Sequence, residues 1–154
     1  MAPESEKPEG ALGDVLEFMR LLWAVDHGLQ RRSKRMDSEH GVTGPQRLVV
    51  RIVGRFPGIG AKRVAEILHV HPSTLTGILQ RLERRGLVAR KSDPRDARRA
   101  LFGLTAKGRK VNQLRSGTVE QSIQRVLARA PGDVAAAQRM LAQLARELSQ
   151  QRDP

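Results

Sequence analysis

Residues 59–105, IGAKRVAEILHVHPSTLTGILQRLERRGLVARKSDPRDARRALFGLT, decide how the rest of the chain is read. From Leu75, apolar residues recur at Ile78, Leu79 and Leu82, which marks one face of an amphipathic helix. At roughly 100° per residue, the opposite face carries Ser73, Gly77, Gln80 and Arg84. Thr76 and Arg81 flank it, and Thr74 lies at its margin. That face is short, polar and rich in donors, with a glycine gap and no acid. Such a surface suits the edge of a base pair and the phosphates beside it.

Working outward, Val64, Ala65, Ile67 and Leu68 predict a supporting helix, and Ala65 is small enough for a close crossing. The connection His69-Val70-His71-Pro72 is as short as a helix-turn-helix needs. Pro72 fits a first helical position, with His71 or Ser73 as cap. Gly86 marks a left-handed helix end. Leu87-Val88-Ala89-Arg90 then predicts a strand, 92–97 a turn-rich tip and 99–104 the returning strand. Gly103 is a poor strand former, so a bulge or frayed edge is expected there. From Arg81 to Arg99, eight Lys/Arg stand against three acids. A charge run is usually a solvated face, but these charges sit on the outside of a helix and on a hairpin tip. A helix fits the DNA major groove, and a thin arginine-bearing arm fits the narrower minor groove.

The ordered set Ser73-Thr74-Leu75-Thr76, Leu82-Glu83-Arg84-Arg85-Gly86-Leu87-Val88 and Arg90 continues into Asp93-Pro94-Arg95-Asp96-Ala97-Arg98-Arg99 and Leu104-Thr105-Ala106-Lys107-Gly108. With Val42-Thr43, Gln46, Val49 and Val50, it resembles the MarR family of winged helix-turn-helix transcriptional regulators, from about residue 12 to 148. The resemblance implies a homodimer in which the first helix and the last two helices of both subunits interlock. It also implies sequence-specific binding of double-stranded DNA, with repression the commoner mode. A small aromatic or phenolic ligand between the dimer helices and the DNA-binding lobe is implied too.

Residue roles follow from position. Ser73, Thr74, Thr76, Gly77 and Gln80 approach base edges, and Arg81 and Arg84 meet a base or a phosphate. Lys62 and Arg63 hold the DNA backbone. In the wing, Arg95 enters the minor groove and Arg98 joins the DNA-binding set. Asp93 is expected to brace the tip by pairing with Arg98 or Arg99. Trp23, His27 and Arg47 are the candidate ligand residues. Against this, Trp23 also reads as ordinary core at a dimer interface, and His27 as a satisfied polar group.

The flanking segments read as helices. Residues 12–35 carry a stripe of Leu12, Val15, Leu16, Met19, Leu22 and Trp23, ending in Arg31, Arg32, Lys34 and Arg35. Those cations suit a helix C-terminus, with phosphates as a lesser alternative. After a loop over 37–44, Thr43 caps a helix with Pro45 in its first turn and Leu48, Val49, Ile52 and Val53 buried. Thr105 starts one long helix carrying Val111, Leu114, Thr118, Val119, Ile123, Val126 and Leu127. Pro131-Gly132 breaks it, and Asp133 caps a last helix striped by Val134, Ala137, Leu141, Leu144 and Leu148. The expected fold is mainly α with a small β-hairpin. A winged helix-turn-helix lobe spans 42–105, a helical dimerisation region spans 12–40 and 106–150, and 1–11 is a disordered tail.

Composition sets the bounds. The 154 residues carry 28 Lys/Arg and 16 Asp/Glu, a net charge of +12. That balance calls for a polyanionic partner, either nucleic acid or an acidic membrane surface. No apolar run reaches the ~18–20 residues of a membrane span, and 1–11 lacks the order of a signal peptide, so a soluble cytoplasmic protein is expected. With no cysteine, disulfides, thiolate zinc sites and the thiol sensing implied for part of the family are excluded. The histidines at 27, 40, 69 and 71 have no zinc-ligand spacing. No phosphate loop or nucleophile elbow is present, so neither an enzyme nor a cofactor is expected. Two alternatives remain: a charge-driven architectural DNA binder, and an RNA binder. The RNA binder lacks the aromatics that stacking needs.

Overall fold

The computed structural model describes residues 12–150, so the tail expected at 1–11 lies outside the described residues. The chain runs α1 (Gly13–His40), α2 (Gly44–Arg55), β1 (Ile59–Gly60), α3 (Ala61–Leu68) and α4 (Pro72–Arg84). It continues with β2 (Val88–Asp93), β3 (Asp96–Leu104), α5 (Ala106–Asn112), α6 (Val119–Arg129) and α7 (Val134–Gln150). It is mainly α with one antiparallel sheet of order β1-β3-β2. The expected hairpin is β2 and β3. The unforeseen third strand, β1, pairs Ile59 with Phe102 and Gly60 with Leu101. Two residues are too few to show a period. Gly103 pairs regularly with Ala89, and the register shift lies instead between Ser92 and Asp93, beside the tip.

One core holds α2, α3, α4 and the sheet together. It contains Val49, Val50, Val53, Val64, Ala65, Leu75, Leu79, Leu82, Leu87, Val88 and Phe102. Thr43 caps α2 reciprocally. Its side chain accepts the Gln46 backbone N–H, and the Gln46 side chain accepts the Thr43 N–H at 3.2 Å. Leu48, expected inside, is 48% exposed, and Val50 takes its place. The helix is rotated because Gln46 and Arg47 face inward, both buried. Ile67 likewise lies at the surface of α3.

Two helix ends differ from expectation. Helix α1 continues to His40 and stops at Gly41, whose φ of 71° lets its N–H reach the Asp37 carbonyl. The cations at 31–35 therefore lie inside the helix, before the last turn where the macrodipole acts. The long helix expected from Thr105 is two helices. Gly117, at φ +70°, lies in the break, and a Cβ there would stand 2.9 Å from His40 Nε2. Helix α5 packs on α2 and β3, against the DNA-binding lobe. Among the described residues, α6 and α7 bury no side chain fully, and α1 buries only Met36. Val15, Leu16, Trp23, Val126, Leu141 and Leu148 stand exposed. The stripes are present as expected, and among the described residues they are left largely uncovered.

Candidate nucleic-acid interface

Helix α4 starts as its sequence dictates. His71 is the cap: its Nδ1 accepts the Ser73 N–H at 3.2 Å and lies 2.7 Å from Ser73 Oγ. Pro72 fills the first turn, where its missing N–H costs nothing. Leu75, Leu79 and Leu82 are buried. Ser73, Thr74, Thr76, Gln80, Arg81 and Arg84 are exposed, with Gly77 half-buried among them. The Thr76 hydroxyl donates to the Pro72 carbonyl at 2.9 Å and keeps acceptor capacity for a ligand. A Cβ added at Gly77 meets nothing within 4 Å, so folding does not require glycine there.

The wing stands beside this helix. A cleft of about 610 Å³ opens between α3, α4 and the wing strands, and its walls include Lys62, Arg63, Thr76, Gln80, Arg90 and Arg98. Those side chains, drawn from α3, α4, β2 and β3, meet at one place, together with Glu66, Glu83 and Asp93. Ser73, Thr74, Gly77, Arg81 and Arg84 extend the α4 surface outside the cleft, and Arg95 sits at the hairpin tip. Arg63 also pairs with Glu66 at 3.1 Å.

At the tip, the expected Asp93 pairing is replaced. Asp93 Oδ1 accepts the Arg95 backbone N–H at 2.9 Å, and Asp96 Oδ1 accepts the Arg98 N–H at 3.0 Å. The tip is so tight that each aspartate reaches the backbone two residues on, as short acidic side chains do in turns. The ion pair to Arg99 comes from Asp96, at 3.7 Å. Among the described residues, Arg81, Arg84, Arg90, Arg95 and Arg98 form no ion pair. Their charge is available to a partner.

Arg85 does something else. Its Nη1 donates to the Gly41 carbonyl, and lies 3.4 Å from Asp37 Oδ1 and from Gln46 Oε1. It fastens the end of α4 to the start of α2. Lys107 Nζ donates to the Arg85 carbonyl at 2.9 Å, and Thr105 Oγ1 to the Gly86 carbonyl at 2.6 Å. The Thr105-Ala106-Lys107-Gly108 motif is thus a clamp on the end of α4. Arg85 was hidden in the sequence because it sits in a run of basic residues that otherwise faces solvent.

The candidate ligand residues do not converge. Trp23 is 70% exposed on α1 and His27 is exposed on the same helix. Arg47 is 3% exposed and its guanidinium bonds within the chain to Val111 O, Leu114 O and Glu120. A groove of about 500 Å³ between α1 and α6 is lined by Val25, Leu29, Val119 and Ile123, with Arg31, Arg32 and Arg35. On α1, the Arg35 guanidinium holds the Glu39 carboxyl below the usual range, chiefly by hydrogen bonding. Among the described residues, no three metal-ligating side chains cluster, and no helix is long and apolar enough to cross a membrane.

Residues 40–99 match the model of the MarR family. The transcriptional regulator HosA of Escherichia coli O111:H- is 41% identical over 70 residues, 46% of this chain and 52% of that protein. The match thus spans about half the length of that relative. The HTH-type transcriptional repressor Mb2911 of Mycobacterium bovis is 30% identical over 118 residues, covering 77% of this chain and 85% of that one. Among solved structures, the PcaV transcriptional regulator from Streptomyces coelicolor, in complex with its natural ligand, superposes with a TM-score of 0.69 at 25% identity. That likeness covers 93% of this chain and 97% of the other.

Proposed function

The chain belongs to the MarR family of transcriptional regulators, and from that premise we propose that it is a repressor that binds an inverted-repeat operator in double-stranded DNA as a homodimer. One observation carries this. The donor-bearing side of α4 and the uncommitted arginines of the wing flank a single cleft, where a helix in the major groove and an arm in the minor groove would both find phosphate. The homodimer is supported by the stripes of α1, α6 and α7, which the described residues of the same chain leave largely exposed. Two recognition helices related by a two-fold axis call for half-sites roughly 10 base pairs apart. For an effector, the α1–α6 groove has an apolar floor and an arginine rim, the chemistry of a small aromatic anion. Trp23 and His27 are on the same helix, and Arg47 would have to release Glu120 to join them.

Selection of bound sequences from a random duplex pool tests the proposal. A regulator will enrich an inverted repeat and prefer it over random duplex by roughly 10³-fold or more at physiological salt. An architectural binder held by net charge would enrich nothing and lose affinity steeply with salt.

Gly77→Ala gives a second test. Nothing in the protein opposes the methyl, so the fold should gain about 1 kcal/mol from the better helix former. Operator affinity should fall roughly tenfold, the scale of one disrupted base contact, because the methyl occupies the gap facing the base edges. A more stable protein with unchanged affinity would remove Gly77 from the interface.

A further inference from the structure

We infer that the ion pair of buried Arg47 and half-buried Glu120 is the positioning joint between the DNA-binding lobe and α6, and that it sets the separation of the two recognition helices. The inference rests on the dimer proposed above. Helix α2 is the spine of the lobe, with Val49, Val50 and Val53 in its core. Two residues before Val49, the Arg47 guanidinium divides three ways. Nη1 donates to the Val111 carbonyl, Nη2 to the Leu114 carbonyl at 2.9 Å, and Nε to Glu120 Oε1 at 2.9 Å.

Val111 lies in the last turn of α5, where carbonyls lose their regular helical donors, and its carbonyl also accepts the Leu114 N–H at 3.2 Å; Leu114 follows two residues past the helix end. Glu120 lies in the first turn of α6, where an acid is favoured. Arg47 therefore fills the break between α5 and α6, capping one helix and gripping the next. A rigid fork of five donors can serve three acceptors at once, whereas a lysine ammonium on its flexible stem cannot hold them in one plane. Arg51, one turn further along α2, repeats the arrangement. Its Nη1 donates to Asn112 O at 3.0 Å and Oδ1 at 2.9 Å, and its Nε lies 3.8 Å from Glu120 Oε1.

Net stability is a poor explanation for this pair. A buried ion pair is often no better than packed apolar side chains, and its best-attested use is to select one geometry. The grip is also narrow, since Glu120 Oε2 is buried without a hydrogen-bond partner and one oxygen carries both arginines. The rest of α6 gives the lobe little hold, for none of its side chains is fully buried and Ile123, Val126 and Leu127 face outward. If those residues meet the second subunit, the angle at Arg47 fixes how far apart the two lobes lie.

The experiment is operator binding on a series of duplexes whose half-sites are separated by different numbers of base pairs. Full-length wild type, Glu120→Ala and Glu120→Asp are compared, with dimer mass from sedimentation and melting curves alongside. Wild type should show a sharp optimum. Glu120→Ala should flatten or move it, lowering the preference for the wild-type spacing about tenfold while the salt slope stays unchanged. Glu120→Asp keeps the charge, but its carboxylate is one methylene short of the arginines, so it should shift the optimum in the same direction by less. A folded, dimeric Glu120→Ala with the wild-type spacing profile overturns the inference. So does binding that falls equally at every spacing together with the melting temperature, since that is loss of structure alone. Should Glu120→Ala not fold, an unaltered profile in Glu120→Asp overturns it. Wild type that neither dimerises nor prefers an inverted repeat overturns both this inference and the function on which it rests.

Discussion

Gly108→Ala is expected to destabilise the protein by about 2–3 kcal/mol, the upper part of the range for forcing an extra carbon into a packed site. Gly108 is buried in the first turn of α5, where its N–H donates to Thr105 Oγ1 at 3.0 Å. A Cβ at this position would overlap the carbonyl oxygen of Leu87 and stand 3.0 Å from its carbon. That carbonyl cannot easily retreat, because it accepts the Thr105 N–H at 3.1 Å and leads into β2. Either α5 lifts off the sheet or the Leu87–Thr105 bond breaks, at a further cost of about 1 kcal/mol. Set against this is the intrinsic helix advantage of alanine over glycine, about 1 kcal/mol. A melting temperature lower by about 5–10 °C at fixed protein concentration is the expected reading. An unchanged or raised value would mean that α5 does not sit against Leu87 in solution. The same substitution at Gly77 should act with the opposite sign, so the two variants together separate backbone contact from helix propensity.

What the sequence disclosed, and what it hid, divides by the range of the interaction. The outward face of α4, the Thr43 and Thr105 caps and the left-handed Gly86 depend on neighbours within a few residues. All four are where the pattern puts them. Arg47, which the sequence offers only as a ligand candidate, hid its buried role because its partners lie 64 to 73 positions away, and a cation in an amphipathic helix is ordinarily assigned to the wet side. Its inward turn rotates α2, which moves Leu48 out and brings Val50 in. The break between α5 and α6, where apolar spacing alone continued one helix, contains the left-handed Gly117, and Arg47 bonds to the Val111 and Leu114 carbonyls on its near side. The Asp93 error is of a smaller kind. Both aspartates of the tip were within reach of an arginine, and only the turn geometry gives Asp93 to the backbone and Arg99 to Asp96. For the DNA-facing candidates, the pattern placed Lys62, Arg63, Thr76, Gln80 and Arg98 around one cleft. For the ligand candidates the signal was partial: Trp23 and His27 stand one turn apart on α1, but no local rule brings Arg47 of α2 to them.

Arg95→Ala is expected to weaken operator binding by about 1–3 kcal/mol, roughly tenfold or more, and to leave the fold intact. The second half of that expectation follows from the wing itself. The tip is held by Asp93 on the Arg95 backbone N–H and by Asp96 on the Arg98 N–H, and alanine preserves both bonds. The Arg95 side chain is exposed and forms no ion pair, so its removal should change stability by less than about 0.5 kcal/mol. The first half follows from where a thin hairpin beside a recognition helix can go. The minor groove next to the occupied major groove is narrow and strongly negative, and an arginine inserted there gains more than one at an open phosphate. Each phosphate neutralisation lost should also reduce the magnitude of the salt slope by about one unit. Arg95→Lys separates charge from shape. If the contact is a simple phosphate pair, lysine restores the slope and most of the affinity. If the planar guanidinium lies in the groove, lysine restores the slope and leaves much of the loss, because the fork is missing. A gel-shift titration at several salt concentrations reads both quantities, and full operator affinity in Arg95→Ala would remove the wing tip from the interface.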